Sequence, residues 1–121
     1  MPALNFQKQW AKLVACGLKR QTIRATRKRP IKQGDMLYLY TGMRTRQCEA
    51  LGITHCMHTA PIKICSEQRC VYVSGKLLSP DGVEQLARAD GFLSTDDFFA
   101  YFATPDGRAF EGQLIKWPGA E

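Results

Sequence analysis

Acidic residues are scarce in the first part of this chain. Residues 1–50 hold two of them against eleven Lys and Arg, a balance of +9. Residues 51–121 hold nine acids against six Lys and Arg, a balance of −3, and the whole chain carries +6. Long apolar runs are missing too. No stretch approaches the ~18 apolar residues of a membrane-spanning helix. Residues 1–12 are amphipathic and lack the apolar core of a secretion signal, so the expected location is cytoplasmic. The five cysteines, Cys16, Cys48, Cys56, Cys65 and Cys70, are odd in number and contain no C-x-x-C. Without a secretion signal, that argues against a disulfide framework. His55, Cys56 and His58, with Cys48 upstream, form one half of a zinc site. Structural zinc takes its ligands as two such halves. Cys65 and Cys70, on either side of an expected hairpin turn, are a poor second half. The cysteines therefore read as free thiols, and no metal or cofactor is called for.

The rest of the composition is that of an ordinary globular chain, 45% hydrophobic and 23% charged over 121 residues. The length suits one domain, residues 1–121, read as a monomer. Repeats and low-complexity tracts are absent from the sequence. The uneven charge predicts a one-sided footprint that attracts a polyanion.

Local patterns give an element order. Asn5 is placed to cap a helix whose apolar face is Phe6, Trp10, Leu13 and Val14, with Gly17 as its stop. Residues 18–24 turn extended, and residues 25–32 form a basic loop in which Pro30 excludes a helix. Gly34-Asp35 turns into a strand over residues 36–40, followed by a loop at 41–46. Residues 47–51 fit a helical turn ended by Gly52. Residues 62–65 and 70–73 read as strands split by a polar turn. Ser79-Pro80-Asp81 starts a helix that runs past Val83, Leu86 and Ala87 towards Asp90 and ends at Gly91. Ser94 caps another, with Asp97 three residues on and Phe98, Phe99 and Phe102 as its buried side. Residues 110–117 close the chain as a strand, with Trp117 in the core. The class is α+β. Short strands with few edges predict a sheet curled into a barrel.

The segment Gly17-Leu18-Lys19-Arg20-Gln21-Thr22-Ile23-Arg24 carries the chemistry. On an extended backbone Thr22 and Arg24 project to one face, and Lys19 sits at the preceding turn. An ammonium, a hydroxyl and a guanidinium gathered there would bind an anion or a polar base, and a desolvated lysine can serve as a general base. Thr22 also fits a plain strand-edge hydroxyl, and Asp90 a helix cap or a partner of Arg88 or Lys19. Around this segment Arg20, Arg24, Arg27, Lys28, Arg29 and Lys32, joined by Arg44 and Arg46, can follow a phosphate backbone. Tyr38 and Tyr40 share one strand face and either stack bases or pack.

Gly17-x-Lys19-x-x-Thr22-x-Arg24, with Gly34-Asp35 before a hydrophobic strand, resembles the signature of the ASCH domain family of the PUA-like superfamily. Ala87-Arg88-Ala89-Asp90-Gly91-Phe92, then Asp97-Phe98-Phe99, resembles the family's later stretch, and residues 110–117 resemble its last strand. Thr41-Gly42-Met43-Arg44 is similar to small bacterial and phage-type members. The resemblance implies a β-barrel ringed by helices, with a cleft at the Lys-Thr-Arg segment that binds RNA or a nucleoside. It also implies an alternative, since some small members are amidohydrolases that deacetylate N4-acetylcytidine. Their lysine and threonine fall on Lys19 and Thr22. Their glutamate falls on Asp90, one methylene shorter. In that alternative Thr22 is the nucleophile, Lys19 the base, Asp90 its support, and Arg24 an anchor or oxyanion donor. A metal-assisted ribonuclease of the same fold and a phage-type interaction module are the other readings.

Overall fold

A computed structural model of the chain describes residues 3–118. In chain order the elements are β1 (Ala3–Phe6), α1 (Lys8–Ala15), β2 (Gln21–Ala25), β3 (Met36–Thr41), β4 (Glu49–His55), β5 (His58–Cys65), β6 (Cys70–Val73), β7 (Lys76–Leu77), α2 (Pro80–Ala89), α3 (Thr95–Phe102) and β8 (Phe110–Lys116). The class is α+β. Among the described residues the strands form two open sheets, ordered β1-β3-β4 and β2-β8-β5-β6-β7, in place of one closed barrel. Closure requires every edge strand to find a hydrogen-bonded neighbour. Here β1 and β4 end one sheet, and β2 and the two-residue β7 end the other. Among the described residues, no helix is long and apolar enough to cross a membrane.

The chain divides into two compact units. The first is the chain up to Gln21, Ile31–Thr59 and the chain from Ile115; the second is Thr22–Pro30 with Ala60–Leu114.

The first unit is built on the three-stranded sheet. β1 runs parallel to β3, with Leu4 beside Leu39, and β4 runs antiparallel to it. Along β3 the pleat buries Leu37, Leu39 and Thr41 and leaves Tyr38 and Tyr40 half-buried. Leu4, Phe6, Val14, Ile31, Leu37, Leu39, Cys56, Ile115 and Trp117 make the core. Phe6 meets Trp117 edge-on at 5.9 Å. The helix start expected at Asn5 is corrected here. Residues 3–6 pair with β3, which satisfies their backbone and buries Leu4 and Phe6 at period two. Asn5 Oδ1 accepts from Met43 N at 2.9 Å instead of capping a helix. α1 begins at Lys8 with no side-chain cap. It ends as expected, with Gly17 at φ 83. Leu18 N donates to Leu13 O and Gly17 N to Val14 O, a Schellman turn.

The helical turn expected at residues 47–51 is also corrected, because that stretch opens β4. Leu39 lies opposite Gly52 and Tyr40 opposite Ala50, so Leu51 is the extra residue of a bulge. Gly52, at φ 154, serves that bulge and stops no helix.

The second unit packs β5 and β6 with α2 and α3. Ile62, Ile64 and Val71 are buried from the strands, Val83, Leu86 and Ala87 from α2, and Phe98, Phe99 and Phe102 from α3. Ser79 Oγ accepts from Gly82 N and Ser94 Oγ from Asp97 N, both at 3.1 Å, as their cap sequences require. At the end of α2, Phe92 N donates to Ala87 O and Gly91 N to Arg88 O, with Gly91 at φ 100. This second Schellman turn makes Asp90 the C-cap and turns Phe92 onto Phe98 and Phe102.

Candidate functional site

In the second unit the site begins with two residues of β2. Arg24 Nε donates to Thr22 Oγ1 at 3.1 Å, as the shared strand face predicts. Burial lowers the pKa of the Arg24 guanidinium, and the positive charge of Arg27 adds to that; Tyr101 and Asp90 act in the opposite sense. Arg24 is therefore a partly dehydrated cation set among a hydroxyl, a carboxylate and a phenol, and its donors are stronger there than in open water. Gly112 on β8 lies against the same residue. A Cβ at Gly112 would collide with the Arg24 carbonyl oxygen, so only glycine lets the backbones approach this closely.

Asp90 is 4% exposed. An acid at a helix C-terminus opposes the helix dipole, and burial adds a desolvation cost. Helix stability therefore does not account for an aspartate here, whereas the cation of Arg24 does supply a compensating charge. Tyr101 packs on Phe92 at 5.4 Å between ring centroids.

In the first unit the Schellman turn at Gly17 folds the chain back over the end of α1. Lys19 N donates to Leu13 O at 2.9 Å, and Lys19 Nζ lies 5.4 Å from the Trp10 ring centroid. That is a cation–π arrangement, and Lys19 is 3% exposed. Among the described residues the buried polar or charged side chains are Lys19, Gln21, Thr22, Thr41 and Asp90. Three of these five are the positions to which the family resemblance assigns chemistry. Thr41 is accounted for by its hydrogen bond to Phe6 O at 2.7 Å.

The other basic residues lie on surfaces. Arg20, Lys32, Arg44 and Arg46 are exposed in the first unit. Lys28 and Arg29 are exposed and Arg27 half-buried in the second. The first unit carries eight Lys and Arg against three acids, and the second nine against eight. The charge excess is thus concentrated in the first unit. It also holds an open groove of about 1110 Å³ between α1 and the loop at residues 42–48. Lys8, Ala11, Lys12 and Ala15, spaced as one helical face, form one wall, and Arg46 lines the other. Sequence reasoning missed Lys8 and Lys12; the signal was two lysines four apart on a helix that was read only for its apolar face. It also missed Trp10 beneath Lys19 and Tyr101 beside Arg24. Tyr40 lies with Tyr38 on the half-buried face of β3.

His55 and His58 are exposed, while Cys56 is buried and donates to His58 O at 3.5 Å. Among the described residues no group of three or more His, Cys, Asp or Glu side chains is arranged to hold a metal ion. Compared with protein-family models, curated proteins and solved structures, the chain matches none.

Proposed function

We propose that the protein binds RNA or a modified nucleoside, as an ASCH-like, PUA-related chain, through the polar side chains gathered around Arg24. The observation that carries this reading is the half-buried guanidinium, hydrogen-bonded to Thr22 and within the field of Asp90. Such a set offers donors and an acceptor to the polar edge of a base: a carboxylate accepts from an exocyclic amine, and a guanidinium donates to ring nitrogen and carbonyl oxygen. Arg27, Lys28 and Arg29 follow in the same unit and supply phosphate contacts. Lys19 belongs to the other unit, and its part in this reading rests on the sequence motif. The test is titration of single-stranded RNA, cytidine and N4-acetylcytidine into the protein. Binding that weakens with salt for RNA, and falls at least tenfold in Arg24→Gln, supports the reading. Absence of both RNA and nucleoside binding overturns it.

A second reading, an amidohydrolase acting on N4-acetylcytidine, is favoured by the burial of Lys19, Thr22 and Asp90. Thr22 Oγ would attack the acetyl carbonyl, and its proton would pass to a base, the role the motif gives to Lys19. The C–N bond would then break, the amine leaving with a proton, and water would free the acetyl group from Thr22. Donation from Arg24 to Thr22 Oγ1 favours the ionised hydroxyl this attack needs. Acetate release that is lost in both Thr22→Val and Lys19→Ala supports this reading. Tight binding without acetate release leaves the first.

A further inference from the structure

The five thiols differ in their surroundings, and two of them face each other. Cys65 ends β5 and Cys70 begins β6, and the antiparallel register sets them directly opposite. Directly opposed residues of an antiparallel pair have Cα atoms ~4.5–5.5 Å apart, inside the ~4.4–6.8 Å range that a disulfide spans. They also share a face. Ile62, Ile64 and Val71 point into the core, so Cys65 and Cys70 stand on the outer side with Lys63 and Tyr72, both thiols half-buried. The turn between them is anchored on α3. Ser66 Oγ donates to Phe99 O at 2.8 Å, and Arg69 pairs with Asp96 at 2.6 Å while lying 5.0 Å from the Phe99 ring centroid. The two sulfurs are therefore held in place before any reaction. Cys65 lines a cleft of about 430 Å³, along with Lys63, Gln68 and Tyr72, so a small reagent has access.

We propose that Cys65 and Cys70 form a redox-active dithiol that a hydroperoxide closes into an intramolecular disulfide across the β5–β6 hairpin. Burial and the hydrogen bond to Cys70 push the Cys65 thiol up, which disfavours Cys65 as the attacking thiolate. The Cys70 thiolate attacks a peroxide oxygen. The O–O bond breaks, the leaving oxygen departs as water or alcohol, and Cys70 becomes a sulfenic acid. Cys65 then attacks that sulfur: the S–S bond forms, the S–O bond breaks, and the hydroxyl leaves as water with the Cys65 proton. Two thiols give up two electrons, and the hydroperoxide takes up two. A thiol reductant reverses the closure. The cross-link is thus a reversible local one, distinct from the disulfide framework that the odd cysteine count argues against.

The sequence provides a clean assay. Lys63, Arg69 and Lys76 are tryptic sites, so Cys65 and Cys70 fall on separate peptides, residues 64–69 and 70–76. After hydrogen peroxide treatment of the full chain, a non-reducing digest should contain these two peptides as one species, lighter than their sum by two hydrogens. Thiol titration should fall from five to three. Reductant should separate the peptides again, and Cys16→Ser with Cys48→Ser should leave the linkage intact. Three results would overturn the proposal: linkage of Cys65 or Cys70 to a different cysteine or to a second chain, sulfinic acid at either position without linkage, or all five thiols persisting at peroxide concentrations that oxidise a free cysteine peptide. The wild-type digest decides without any variant having to fold.

Discussion

Arg24 and Thr22, two residues apart on β2, are joined by a 3.1 Å hydrogen bond from Nε to Oγ1. The hydroxyl is buried, and the guanidinium is half-buried. Thr22→Val keeps the shape and removes the acceptor, so it should cost about 1–2 kcal/mol of stability in denaturant unfolding. Arg24→Lys keeps the charge and loses the planar fork. It should weaken nucleoside binding about tenfold or more, equivalent to ~1.4 kcal/mol, while the salt dependence of RNA binding is unchanged. Unchanged nucleoside affinity in Arg24→Lys would mean that Arg24 acts only as a point charge, which lysine supplies equally well.

Asp90 brings a second charge into the field of Arg24 from the end of α2. Removing one partner of a fully buried pair costs ~3–5 kcal/mol. Because Arg24 is only half-buried, Asp90→Asn should cost about 2–3 kcal/mol, read from urea unfolding at neutral pH. The double variant with Arg24→Leu should recover part of that loss, since no cation is left without its counter-charge. Strict additivity of the two changes would show that Asp90 is stabilised by other groups.

Gly112 controls the same place from the neighbouring strand. A methyl group there meets the Arg24 carbonyl, so β8 and β2 must move apart. Gly112→Ala should destabilise by about 1–3 kcal/mol and weaken nucleoside binding at once, because the displaced residue is Arg24 itself. If stability falls while binding is unchanged, the contact belongs to the sheet alone.

Much of the fold was legible where a single residue type answers a single backbone need. Ser79 and Ser94 cap their helices, and Gly17 and Gly91 take left-handed conformations at helix ends. Ser79→Ala and Ser94→Ala should each cost about 0.5–2 kcal/mol, measured by thermal or urea unfolding. Asn5→Ala should leave the helix content unchanged in far-UV circular dichroism, because Asn5 Oδ1 holds Met43 N and the N-cap position of α1 is Gln7. The misreadings have one cause. At Asn5, at residues 47–51 and in the expected barrel, long-range strand pairing decided the outcome. Local sequence carries little information on a parallel partner 35 residues away or on which edges stay open. At the candidate site, Thr22 and Arg24 were legible because strand alternation is local. The role of Tyr101 was hidden, since only tertiary packing brings α3 into the field of β2.

The basic residues make the last prediction quantitative. A single-stranded nucleic acid releases counterions on binding, and the slope of log K against log salt falls by ~0.7 for each phosphate contact removed. Lys8 and Lys12 line the groove of the first unit, whereas Arg27, Lys28 and Arg29 follow β2 in the second. If the groove carries backbone, Lys8→Ala with Lys12→Ala should flatten the slope by ~1.4 with little effect on free-nucleoside affinity. If the loop carries it, the three loop substitutions should flatten the slope by ~2. Measuring both variants across a salt series assigns the phosphate track to a unit. No change in either variant would mean that both basic faces are merely solvated, and that the charge excess of the first unit serves something other than RNA.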